Sequence, residues 1–316
     1  MNEQINILCA TDNNYAPYHG VMLTSLFMNN RDCHFDVYML SDETWQPTET
    51  KRFEKLCKKF KSTFHLILID NSAIRNFPQR VHITLPTYYR LLACRLLPNS
   101  VHKILLLDGD IIIKGDIRPL WHINLDNYAF AAAEDMDSVT GECYERLGYD
   151  SKYGYCNAGV SLYNFDYWRE NHVSEKMIQL ITEQPDTLKW MDQDAINMLL
   201  YKEKFNIPLR YNFQVNHLST KYWDLYSSDY QKTIEEECQQ AVIVHFNSPI
   251  KPWTYRYLGY PFFRLWKYYN RKSPWNININ IPLKKYIKQC IKRLVCPARV
   301  YNERNKHVIK KYWNYK

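Results

Sequence analysis

Lys103-Ile104-Leu105-Leu106-Leu107-Asp108-Gly109-Asp110-Ile111-Ile112-Ile113 sets two carboxylates between apolar runs. Ionised acids in such surroundings lose hydration and repel each other unless a cation or hydrogen-bond donors compensate. A divalent metal carrying a diphosphate is the natural partner, because oxygen ligands suit Mg²⁺ or Mn²⁺. The alternative is a turn bearing two solvated acids. Open α/β sheets bind ligands at the carboxyl ends of their strands, so the placement of Asp108 and Asp110 after an apolar run bears on fold and function together.

Upstream of this stretch, strands and helices alternate. Ile5 to Ala10 reads as a buried strand ending at Thr11-Asp12-Asn13-Asn14, followed by a helix from about Tyr18 to Met28 and a strand from Phe35 to Leu40. Glu49 to Phe60 reads as helix, Phe64 to Ile69 as strand, and Tyr88 to Leu97 as a helix stopped by Pro98. Downstream, Ala129 to Ala133 and Gly159 to Tyr163 read as short strands, Asp166 to Ile181 and Asp192 to Tyr201 as helices, and Val242 to Val244 as a late strand. The alternation predicts βαβ units and a mostly parallel sheet. Polar residues follow several strands directly: Asp12, the Asp108/Asp110 pair, and His245. They predict one site built from distant parts of the chain.

The composition restricts the class. A chain of 316 residues, 46% apolar and 23% charged, is a folded protein rather than a disordered one. Eight Gly against 14 Pro exclude collagen-like and glycine-rich classes. No apolar run reaches the roughly 18 residues a spanning helix requires. Met1 to Ile7 shows neither a basic cluster nor a long apolar stretch, so a cytoplasmic location is expected. The 9 Cys are scattered without CxxC spacing, which suggests neither a zinc site nor a disulfide framework.

The net charge of +8 is unevenly spread. Residues 281–316 hold eleven Lys or Arg and one acid, Glu303, a net +10, so the remaining 280 residues carry −2. Between Leu283 and Val295, the residues Ile287, Cys290, Ile291 and Leu294 fall on one helical face. A basic amphipathic helix followed by Tyr312, Trp313 and Tyr315 fits an anionic membrane surface; the alternative is a helix packed on the body. No nucleic-acid motif accompanies the charge. The expected division is a catalytic domain over 1–260 and a basic, aromatic-rich, membrane-associating extension over 261–316.

Other segments carry chemistry. In His245-Phe246-Asn247-Ser248-Pro249-Ile250-Lys251-Pro252-Trp253 an imidazole at a strand end can be a third metal ligand, which Mn²⁺ accepts more readily than Mg²⁺, and Lys251 can neutralise a phosphate oxygen. A lone His is otherwise a structural residue. Asn157, before an apolar strand, can bind a hydroxyl. Asp192 and Asp194 flank Gln193 at a helix start, where acids serve as plain caps; taken singly, Asp192 reads as a cap. Arg90 is one basic side chain on an apolar helix, otherwise a surface charge.

Together these segments resemble the family 8 glycosyltransferases, retaining galactosyl- and glucosyltransferases. The resemblance spans roughly residues 5–260 in order: Ala10 to Tyr15, Thr87 to Leu91, Leu107 to Asp110, Asn157 to Val160, Asp192 to Asp194, and His245 to Trp253. It implies a single GT-A-type nucleotide-sugar-binding α/β domain. It implies that Asp12 and Asn14, with Ala10 beside them, bind the uracil end of a UDP-hexose. Asp108, Asp110 and His245 would hold Mn²⁺, with Mg²⁺ as the alternative. Arg90, Asn157, Asp192 and Gln193 would hold the donor sugar, and Lys251 the diphosphate. Two positions depart from the pattern. Ser248 stands where the family has Gly, adding a β-carbon and a hydroxyl near the phosphate, and Gly109 loosens the centre of the acidic motif.

A metal and Lys251 would stabilise departing UDP. Gln193 is a poor nucleophile, so attack by the acceptor on the face UDP leaves is expected, with Asp194 as the alternative nucleophile of a covalent route. The acceptor is expected to be a glycan, lipid-linked or lipopolysaccharide in view of the tail, at the inner face of the membrane. The competing class is a UDP-sugar-binding protein without turnover.

Overall fold

The structure, a computed structural model, describes residues 3–78, 85–254, 261–279, 282–284, 287 and 291. Its strands in chain order are β1 (Glu3–Ala10), β2 (Cys33–Ser41), β3 (Thr63–Leu68), β4 (Lys103–Leu107), β5 (Ile111–Ile113), β6 (Phe130–Glu134), β7 (Cys156–Asn164), β8 (Lys204–Ile207), β9 (Phe213–Gln214) and β10 (Ile243–His245). Seven form one sheet in the order β3-β2-β1-β4-β7-β6-β8, and three form a second in the order β5-β10-β9. In the large sheet only β7 runs against its neighbours, pairing antiparallel with β4 and β6. The mostly parallel α/β sheet expected from the sequence is therefore present.

The parallel half forms because its strands are apolar on both faces. Ile5, Ile7 and Cys9 of β1 face one core cluster while Leu8 faces the other. A strand buried on both sides demands helices on both sides. Ala16–Asn29, opened by Pro17 in its first turn, covers one face. Pro86–Leu96, likewise opened by proline, covers the other.

The Lys103–Ile113 stretch is divided between the two sheets. β4 lies in the large sheet, whereas β5 leaves it and pairs antiparallel with β10. Helix Ala16–Asn29 holds this departure in place: Ser25 Oγ accepts from the Ile113 amide at 3.0 Å, and Asn29 Nδ2 donates to the Ile113 carbonyl at 3.0 Å. The acidic motif thus occupies the crossover between sheets.

Three sequence expectations are corrected. Asp166–Ile181 is two helices, Phe165–Glu170 and Val173–Glu183, because the chain turns at Asn171 and at His172, whose φ of 52° is left-handed. Asn157 lies inside β7 rather than before it. The division at 260 does not match the packing. Helix Phe263–Lys272 buries Trp266 and Tyr269 in the main core. Trp275 closes over Gly20, where a β-carbon would lie 2.2 Å from the indole ring, and donates to Glu49 at 2.6 Å. Of the expected tail helix over 283–295, most lies outside the described residues; Leu283, Lys284, Ile287 and Ile291 are helical, and all four are exposed. Among the described residues, no helix is long and apolar enough to cross a membrane.

Candidate functional site

β1 lies beside β4 with Leu8 opposite Leu106, so the loop after Ala10 and the Asp108-Gly109-Asp110 turn leave the sheet at the same edge. β10 brings His245 to that edge through its pairing with β5, where His245 faces Ile111. The Asp108 amide donates to the Gly159 carbonyl at 2.9 Å, and the Phe246 amide donates to the Asp110 carbonyl at 2.8 Å. These backbone bonds place Asp108, Asp110 and His245 together, each offering one ligand atom within 4.8 Å of the others.

The cluster fits a hard divalent cation by its donor set, two carboxylates and an imidazole. The space around it is kept clear by glycine. A β-carbon on Gly159 would lie 2.5 Å from His245 Cε1 and 2.6 Å from Asp108 Oδ2. Gly109 has a similar reason: a β-carbon there would lie 2.8 Å from His19 Cδ2. Its absence of side chain therefore admits the His19 ring, which corrects the expectation of a merely loosened backbone. Burial pushes the His19 imidazole down to about 4 despite nearby Asp108 and Asp110, so it packs as a neutral ring.

Cations already compensate the acids. Lys251 Nζ donates to Asp110 Oδ2 at 2.5 Å, and His245 Nε2 lies 3.3 Å from Asp110 Oδ1. Burial by itself would raise the Asp110 carboxyl, but Lys251 and His245 hold it well below the usual carboxylate range. Arg90 is buried, makes two hydrogen bonds and pairs its charge with a second acid. It donates to Asp108 Oδ1 at 2.7 Å and to the Ala158 carbonyl at 3.1 Å, and its Nε lies 3.2 Å from Asp192 Oδ2. It is an internal ionic hub rather than a surface charge.

The two acids flanking Gln193 have separate jobs. Asp192 faces Arg90, and burial pushes its carboxyl up to about 6, with Arg90 opposing the shift. Asp194 is 0% exposed and fully engaged. It accepts from Arg146 at 2.6 Å, Tyr155 Oη at 2.7 Å, and the amides of Lys189 and Trp190 at 2.6 and 2.7 Å. The capping reading given to Asp192 therefore belongs to Asp194. With its oxygens occupied by four donor groups, Asp194 is a structural carboxylate, not an available nucleophile. It anchors the turn in which Met191 takes a φ of 33°, a left-handed conformation costing roughly 1 kcal/mol.

Gln193 and Asn157 meet at a residue the sequence reading passed over, Asp135. Asp135 Oδ2 accepts from Asn157 Nδ2 at 2.8 Å and from Gln193 Nε2 at 3.1 Å. Burial pushes its carboxyl up to about 6, partly offset by the Asn157 bond and the Asp137 amide. Gln193 also donates to Tyr155 Oη at 3.0 Å and accepts from the Ala158 amide at 3.1 Å. The signal that could have found Asp135 is its position one residue past a buried strand, β6, the same placement that marked Asp12 and Asp108.

The loop after β1 is the open part of the site. Asp12 Oδ1 accepts from the Tyr15 amide at 2.8 Å, and Asn14 is exposed. Tyr18 stacks on Trp253 with ring centroids 3.8 Å apart, joining this loop to the segment that carries Lys251. Ser248 Oγ accepts from the Ile250 amide at 3.1 Å, so its hydroxyl braces the turn leading to Lys251.

The family model for Glycosyl transferase family 8 matches residues 6–256. The chain is 27% identical over 275 residues to a lipopolysaccharide 1,2-glucosyltransferase of Escherichia coli K12, covering 87% of this chain and 80% of that protein. It is 28% identical to general stress protein A of Bacillus subtilis, covering 87% and 96% respectively. Among solved structures, galactosyltransferase LgtC in complex with donor and acceptor sugar analogs superposes with a TM-score of 0.74 at 21% identity, covering 90% of this chain and 100% of that one. That likeness carries the fold, a GT-A sheet.

Proposed function

The chain belongs to glycosyl transferase family 8, and we propose that it moves a hexose, galactose or glucose, from a UDP-sugar to a glycan acceptor with retention. The observation that carries this reading is the convergence of Asp108, Asp110 and His245 with Lys251 at the carboxyl edge of the sheet. Asp108, Asp110 and His245 would hold Mn²⁺, or Mg²⁺ in its place, which would supply Lewis-acid stabilisation of the diphosphate. Ala10, Asp12 and Asn14 form the uridine side of the cleft. Arg90, Asn157, Asp192 and Gln193 hold the hexose.

The chain's own groups account for the chemistry. Lys251 carries a positive charge where negative charge develops on the leaving UDP, and such preorganised charge stabilises a transition state most strongly in a dry site. Gln193 faces the sugar with its amide oriented by Ala158, Tyr155 and Asp135. An amide is a poor nucleophile and Asp194 is committed elsewhere, so the acceptor hydroxyl attacks on the face UDP leaves.

The lipopolysaccharide glucosyltransferase among the relatives and the basic tail support a lipid-linked glycan as acceptor. The exposed Leu283, Ile287 and Ile291, spaced one turn apart, support reversible binding to an anionic membrane at its inner face.

The test is UDP release on mixing with UDP-galactose or UDP-glucose, with and without Mn²⁺. Turnover is expected with the metal, and Asp110→Asn is expected to remove it while the protein stays folded. Asp12→Ala is expected to weaken UDP binding by calorimetry even without Mn²⁺. UDP binding without release would identify a sugar-nucleotide-binding protein instead.

A further inference from the structure

His245 does not end at the candidate metal cluster. Its Nδ1 lies 2.9 Å from Asn212 Oδ1, and Asn212 Nδ2 donates to Asn157 Oδ1 at 2.9 Å. Asn157 Nδ2 in turn donates to Asp135 Oδ2 and to Gln193 Oε1, at 2.8 and 3.2 Å. Asn212 and Asn157 are buried, and Asn212 is 0% exposed, so water does not substitute for these partners.

The direction of the chain follows from the chemistry of its ends. Backbone amides only donate, and Gly159 N donates to Asn157 Oδ1 at 3.1 Å. An ionised carboxylate only accepts, and Asp135 Oδ2 receives Asn157 Nδ2. Asn157 is therefore held in one orientation from both sides, oxygen toward Asn212. Asn212 must then present its amide NH₂ to Asn157 and its oxygen to His245. An oxygen at that position requires a proton on His245 Nδ1, whether or not Nε2, 3.3 Å from Asp110 Oδ1, also carries one in the absence of a metal, and it leaves Nε2 as the nitrogen free to ligate.

We propose that Asn212 is a positioning residue that fixes the Nδ1–H tautomer of His245 and ties the metal site to the sugar-holding groups Asn157, Gln193 and Asp135. This rests on the metal reading of the cluster. A ligating histidine whose second nitrogen is held by an acceptor keeps its ring orientation and basicity, and losing that acceptor weakens metal binding by about 10–100-fold. Asn212 is placed for the task by the second sheet: it directly precedes β9, which pairs in parallel with β10, setting Gln214 opposite His245. A change in the metal's hold on His245 would reach Gln193 through two amides and no mobile segment.

The first measurement needs no metal. In metal-free wild type labelled with ¹⁵N-histidine, Nδ1 of His245 is expected to carry a proton, alone or together with Nε2. A bare Nδ1, with the proton on Nε2 alone, would overturn the proposal while leaving the transferase reading intact. The second is Mn²⁺ titration followed by electron paramagnetic resonance. Asn212→Leu is expected to raise the Mn²⁺ Kd about 10–100-fold. Asn212→Asp keeps an acceptor for Nδ1–H and is expected to restore binding to within a few-fold of wild type (roughly, by the same argument). It also sets a carboxylate against Asn157 Oδ1, so sugar-dependent KM is expected to rise. A merely structural role would make both variants lose Mn²⁺ in step with their melting temperatures. Should the Leu variant not fold, a bare Nδ1 or lost Mn²⁺ binding in folded Asn212→Asp would be equally decisive against the proposal. If no protein binds Mn²⁺ but Nδ1 carries its proton as expected, the metal reading fails and the positioning role stands.

Discussion

Lys251 Nζ lies 2.5 Å from Asp110 Oδ2, occupying one of the lone pairs a metal would use. The ammonium and a divalent cation therefore compete for the same carboxylate until a diphosphate gives Lys251 a second anion. Lys251→Met is expected to bind Mn²⁺ at least as tightly as wild type and to turn over about 10²–10³-fold more slowly, the loss typical of one oxyanion-stabilising donor. Mn²⁺ titration beside steady-state kinetics checks both halves. Weaker Mn²⁺ binding in this variant would remove the competition from the account.

Asp194 is expected to matter for stability and not for the chemical step. Asp194→Asn breaks its buried pairing with Arg146, a loss on the order of 3 kcal/mol when one partner of a buried pair is removed. The melting temperature should fall, while kcat per folded molecule stays within a few-fold of wild type (about the scatter expected when no transition-state contact is lost). A collapse of kcat in well-folded protein would revive the nucleophile reading.

Asp135 makes a pH prediction with a definite sign. Its carboxyl is pushed from 3.8 to about 6 by burial, so between these values the folded state holds a proton that the unfolded chain has released. The resulting stability is fully present below about 4 and lost as pH rises through about 6, on the order of 3 kcal/mol. Denaturant unfolding of metal-free Asp135→Asn should show a flatter pH dependence than wild type across this window. Parallel curves would contradict the shift.

The C-terminal region should divide near residue 280, not 260. Removing 281–316 is expected to leave a folded protein with UDP-sugar hydrolysis intact and to abolish co-sedimentation with anionic vesicles. Trp266→Ala, within the packed helix, should cost about 3–5 kcal/mol, the usual penalty for emptying a buried aromatic site. If the shorter truncation aggregates, the exposed Leu283, Ile287 and Ile291 face belongs on the body.

Much of this arrangement was legible in the chain. Asp108, Asp110 and His245 could be singled out because each ends or follows an apolar run, and a strand end is the edge of a sheet. The helix break at Asn171-His172 carries only a weak signal, two residues of low helix propensity that tolerate left-handed backbone, which the helical pattern on either side outweighs. The basic, aromatic-rich stretch over 261–316 reads from composition as one extension. Composition cannot tell a helix whose Trp266 and Tyr269 are buried from one whose apolar face is open, since both demand the same residue types.

The sequence alone determined the class of fold and the identity of the acidic cluster, because apolar periodicity and strand-end chemistry are local properties of the chain. Tertiary structure decided how the polar residues share the work. Asp192 and Asp194 are two positions apart on one helix, yet one faces Arg90 and the other is consumed by Arg146, Tyr155 and two amides. Asn212 and Asp135 are single polar residues with no motif around them, and they acquire a role only where β9, β10, β6 and β7 converge. Hydrogen-bond direction is a property of pairs in space, so no reading of one residue at a time reaches it.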